Sequence, residues 1–137
     1  MNPIVIVTMI LFPTALFGQI ETLKNGKNWK LYNVADENAF EYRRDTLKNF
    51  SSIPLSTDSM RLYLDGLTEM PAGGPHIWMG AYIATYELNG EQHKVEISYF
   101  GGVIYDESTR KHYEIRSNKS KDWLSYIRNS YLQFEKM

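Results

Sequence analysis

The chain of 137 residues contains no cysteine. That one absence excludes disulfides, a thiol nucleophile, a cysteine-ligated zinc site and an acylated lipoprotein cysteine, and it leaves stability to the buried core. Histidine is scarce, with three in all. His76, His93 and His112 are isolated and none belongs to an HxH or HExxH spacing, so neither a metal nor a cofactor is expected. An excess of charge is also missing, since 15 basic and 16 acidic side chains leave a net charge of −1. Arg43-Arg44 and Lys119/Lys121 read as solvated charges, so nothing provides the positive surface that nucleic acid or an anionic membrane would require.

Catalytic motifs are equally absent. No GxSxG elbow occurs. Of the glycine pairs, "GGPH" lacks the Lys-Ser/Thr of a phosphate loop, and "FGGV" sits between strand-like runs rather than at a helix start. The enzyme reading that survives is a hydrolase using His112 with Asp106 or Glu114, and no spacing selects those residues.

One long hydrophobic run is present. "PIVIVTMILFPTALFG", Pro3 to Gly18, precedes the first charged side chain, Glu21. It is short of the roughly 20 residues that span hydrocarbon, and Pro13 breaks a helix near its end. Residues 1–18 read as a secretory signal cut after Gly18, although no Lys or Arg precedes the apolar run; a retained N-terminal anchor is the alternative. The expected location is periplasmic or secreted, with no membrane segment once the signal is removed. Residues 19–137 show no repeat and read as a single domain.

Within that domain Asn89-Gly90 is the strongest turn signal, because both central residues of a type I′ turn need positive φ. It sets a hairpin pairing Leu88 with Glu91, Tyr86 with His93, Ala84 with Val95, Tyr82 with Ile97 and Gly80 with Tyr99 on an apolar, aromatic face. The opposite face pairs Glu87 with Gln92, Thr85 with Lys94, Ile83 with Glu96, Ala81 with Ser98 and Met79 with Phe100. It reads as mostly wet and apolar only far from the turn. Tyr99 is expected to cover Gly80.

A second hairpin is expected from Val103 to Ile115, with Asp106, Ser108 and Thr109 in its turn. Gly101-Gly102 reads as a bulge bending one long strand in preference to a tight turn. Asn28 to Val34 reads as a strand, and a helix starts at Ser56 or Thr57 and stops at Gly66. Residues 36–50 read either as a helix or, by preference, as a strand followed by a loop. A last helix has Asn118 or Ser120 as N-cap and Asp122 in its first turn, with Trp123, Ile127, Tyr131 and Phe134 in one apolar stripe and Leu124 beside it. The fold class is therefore α+β: an antiparallel meander sheet of about four to six strands, a C-terminal helix packed on one face, and a second short helix.

No motif names a family. In layout alone the chain resembles small exported bacterial envelope proteins, including periplasmic inhibitors and immunity proteins. The expected function is a noncatalytic binding module, with a protein partner in the envelope favoured. Trp78, Met79 and Phe100 are its expected anchors, and His76, Tyr99 and Tyr105 are further candidates. The alternative of a carrier predicts a cavity lined by Tyr82, Tyr99 and Trp123.

Overall fold

The computed structural model describes residues 23–36, 44–71, 74 and 80–137. The expected signal, residues 1–18, and three expected contact residues, His76, Trp78 and Met79, lie outside them, as does most of the stretch through Phe40 and Tyr42. Among the described residues seven strands form one sheet: β1 (Lys27–Asp36), β2 (Ser52–Pro54), β3 (Thr68–Glu69), β4 (Ala81–Leu88), β5 (Glu91–Ser98), β6 (Val103–Asp106) and β7 (Lys111–Glu114). Their order is β2-β1-β4-β5-β6-β7-β3, and every pairing is antiparallel. With the sheet lie helices α1 (Arg44–Leu47), α2 (Thr57–Leu64) and α3 (Ser117–Leu132), and a 3-10 turn, Gln133–Lys136, follows α3. The α+β architecture is as expected. The strand count exceeds the expectation because two strands, of three and two residues, close the sheet's edges.

The hairpin of β4 and β5 follows from its turn. Asn89 and Gly90 both take positive φ, 53° and 80°, and the register from Ala81↔Ser98 to Leu88↔Glu91 is the one that turn dictates. Beyond it Gly80 has φ 115°, and a Cβ there would stand 2.6 Å from Tyr99 Cε2, so the Tyr99 ring does cover a glycine.

Gly101-Gly102 is a turn, not the bulge in a long strand that the sequence suggested. β5 ends at Ser98, residues 99–102 reverse the chain, and β6 returns with Ile104 opposite Ile97. The two glycines act differently. Gly101 takes φ 66°, while a Cβ on Gly102 would press on Ile115 Cβ at 2.9 Å, where Gly102 also accepts a hydrogen bond from the Ile115 N–H.

The first face carries the main core. Trp29, Leu31, Ala84, Tyr86, Val95, Ile97, Ile104 and Tyr113 meet Met60 and Leu64 of α2 and Trp123 and Ile127 of α3. α2 starts where expected: the Ser56 side chain accepts from the Ser59 N–H at 3.2 Å. α3 starts earlier than expected. Its N-cap is Arg116, without a side-chain cap bond, because the segment leaves β7 through Ile115 and turns at once, placing Asn118 and Ser120 inside the helix. The apolar stripe is as expected, and α3 is tied to α2 by the Ser56 N–H to Tyr126 hydroxyl bond and by Lys119 Nζ on the Leu62 carbonyl.

The second face differs from its expectation. Thr85, Lys94, Glu96 and Ser98 are buried beside Ala81 and Ile83. Tyr32 and Val34 of β1 extend the apolar part, and Leu47 of α1 packs onto it with Phe50 alongside. The reading of this face as mostly wet failed: its polar residues are buried, and at its apolar end Leu47, remote in sequence, lies over Ala81 and Ile83. Alternation reports which residues share a face, not whether another part of the chain lies over it.

Candidate functional site

Of the expected contact residues within the described chain, two are brought together and one is separated. Tyr99 and Phe100 stand side by side on the β5–β6 turn. Tyr105 points from β6 to the second face, where its ring lies 4.7 Å from that of His112.

The Tyr99 ring meets Tyr82 edge-on at 4.9 Å, and Tyr82 lies 5.2 Å from Tyr131 of α3. With Phe100 and Arg128 these rings line an open depression of about 340 Å³. Phe100 is 61% exposed, although its own N–H is fixed by the Ser98 hydroxyl at 3.2 Å. Burial, with the neighbouring Tyr82 and Glu135, pushes the Tyr131 phenol up, so it remains a protonated donor near neutral pH. Trp123, expected to line a carrier's cavity with Tyr82 and Tyr99, is fully buried in the main core. Sequence reasoning used Tyr131 only as a core residue and passed over Arg128. Their spacing of three on one helix was the available signal.

A second group of side chains occupies the polar half of the second face. Lys94 Nζ lies 3.8 Å from Glu96 Oε1 and 3.4 Å from Glu107 Oε2. Glu96 and Lys94 are 1% and 2% exposed, and Glu96 Oε2 has no hydrogen-bond partner. Burial pushes the Glu96 carboxyl up to about 7; the Lys94 ammonium opposes this and the Glu107 carboxylate adds to it. Nearby, Gln92 Nε2 donates to the Tyr32 hydroxyl and to Thr85 Oγ1, both at 3.2 Å. Where β5 runs past the end of β6, Glu91, His93, Lys94, Glu107 and Ser108 line a depression of about 220 Å³.

Of the hydrolase set, Asp106 is separated from His112, while Glu114, two residues along β7, shares the His112 face. Asp106 faces the main core and accepts from the Tyr86 hydroxyl at 2.8 Å, the Ser108 N–H at 3.0 Å and the Ser108 hydroxyl at 2.7 Å. Those three donors make it a turn-forming carboxylate. Strand alternation places Tyr105 and His112 on the opposite face from Asp106, and burial lowers the His112 pKa. Glu114 is exposed at the end of β7. Among the described residues no three His, Asp or Glu side chains are grouped to hold a metal, and no helix is long and apolar enough to cross a membrane.

No family model, no curated protein and no solved structure matches the chain.

Proposed function

We propose that the protein is an exported, noncatalytic binding module that recognises a protein partner through the 99–102 turn and the adjoining side of α3. The observation that carries this reading is Phe100, 61% exposed on a turn whose geometry depends on its glycines. Leaving a phenylalanine in water forgoes about 1.5–3 kcal/mol of burial, and no feature of the turn repays it. Around it stand Tyr82, Tyr99, Tyr131 and Arg128, the residue types in which interface binding energy concentrates. The turn is mounted between two paired strands, so little order has to be gained on binding. The apolar end of the sheet's second face, around Ala81 and Ile83, is filled by the chain's own Leu47 and Phe50.

The apolar run from Pro3 to Gly18 supports an envelope or secreted location. N-terminal sequencing of the protein recovered from that fraction checks the cut after Gly18.

A photo-crosslinking residue placed at position 100 should capture one partner in its native envelope. The same residue at Leu62, which is 64% exposed on α2, should not. Equal capture from both positions contradicts the reading. Phe100→Ala should reduce partner affinity by at least about tenfold while leaving the unfolding midpoint unchanged.

The clustered Tyr82, Tyr99 and Tyr131 rings favour a second reading, a small apolar ligand held in the same depression. The two separate by titration: a small ligand would shift the Tyr82 and Tyr131 ring resonances saturably with no protein present.

A further inference from the structure

The second face presents a problem in electrostatics that the Phe100 surface does not touch. Glu96 sits in β5 between Ile83 of β4 and Tyr105 of β6, 1% exposed, with Oε2 reaching no donor. Its nearest cation, Lys94 Nζ, lies 3.8 Å from Oε1, too long for a good hydrogen bond, and stands closer to Glu107, which is partly in solvent. The other polar and titratable groups on this side are Lys30 and the Tyr32 hydroxyl on β1, Thr85 and Glu87 on β4, Gln92 and Ser98 on β5, the Tyr105 hydroxyl on β6, and His112 and Glu114 on β7. None of these bonds the free carboxyl oxygen.

An ionised carboxylate in that position lacks the hydrogen bonds its charge requires. A neutral carboxyl makes a much smaller demand. The cover is slight. Residues 44–51 cross the face as a strap: Leu47 packs in one cluster with Ile83, the direct cross-strand partner of Glu96. The Ser51 carbonyl accepts from the Asn33 N–H of β1 at 2.9 Å.

We propose that the 44–51 strap is a proton-controlled cover, closed over the second face while Glu96 holds its proton and released when Glu96 ionises, exposing Tyr32, Val34 and Ile83. The buried carboxyl titrates at about 7, against 4.5 for an ordinary one, so opening rises through that window and levels off above it. Over pH 5 to 8 that difference corresponds to a rise of roughly 30- to 100-fold in the open fraction.

Hydrogen exchange at the Asn33 amide of the full chain, corrected for intrinsic exchange, measures the opening. The wild-type chain should show the rise between pH 5 and pH 8, while Glu96→Gln stays closed at both and matches the wild type at pH 5. Identical behaviour of the two proteins overturns the proposal. Should the variant fail to fold, the Glu96 side-chain carboxyl carbon can be followed in the wild type. A midpoint near 7, tracked by the amide shifts of residues 47–51, supports the cover. A midpoint near 4.5, or strap shifts that ignore it, overturns it.

Discussion

The two faces of one sheet are buried by different means. On the first, Trp29, Tyr86, Ile97, Tyr113 and their neighbours are closed by α2 and by the 16-residue α3, and the gain is apolar area removed from water. On the second, a narrow apolar strip of Tyr32, Val34, Ala81 and Ile83 shares its space with Lys94 and Glu96, and the cover is a four-residue helix with Phe50 beyond it. Burying the Lys94 ammonium and the Glu96 carboxyl offsets much of what the apolar strip contributes. The first face therefore supplies most of the apolar burial, while the second adds the buried carboxyl of Glu96, whose raised pKa makes stability depend on pH.

Truncation of Trp123, wholly buried at the centre of the first face, should have the largest effect. Trp123→Ala is expected to cost about 3–5 kcal/mol in urea unfolding. A loss below about 1 kcal/mol would break the comparison at its strong side. Glu96→Gln should act in the opposite direction and only with pH. A carboxyl whose folded pKa is raised stabilises the fold when protonated; the contribution is complete below about 4.5 and lost as pH rises through about 7. The variant should match the wild type near pH 4 and exceed it above pH 7 by an amount on the order of 3 kcal/mol. Parallel stability curves from pH 4 to 8 would remove the electrostatic half of the argument. Leu47→Ala tests the cover, and a short strap that can collapse into the gap should limit the cost to about 2 kcal/mol. If it costs as much as Trp123→Ala, the second face is a core in its own right.

Much of the first face was legible in the sequence. Asn89-Gly90 fixed eight cross-strand pairs, Ser56 marked a helix start, and the Trp123, Ile127, Tyr131 spacing gave the packed side of α3. These signals are local: a turn, a cap and a helical period each act within a few residues. The second face was misread because Thr85, Lys94 and Glu96 carry the polar alternation of a solvated surface yet are buried, and because Leu47, remote in sequence, packs on Ala81 and Ile83 of the same face. Gly101-Gly102 was misread for a related reason. The close approach of Ile115 that Gly102 permits is a contact between segments, and a four-residue β6 is shorter than a local pattern would favour. At the candidate site, Tyr99 and Phe100 were adjacent in sequence and easily proposed. Arg128 came to them from α3, and no local pattern linked a helix position to a turn nearly thirty residues earlier.

The sheet's two outermost strands have a bearing on how the protein avoids itself. β3 offers two residues of ladder and β2 offers three, one of them Pro54, which has no N–H to donate. A stray strand from another molecule would find too few main-chain groups at either margin to add itself to the sheet. Growth into larger β-assemblies by strand addition is discouraged at those margins.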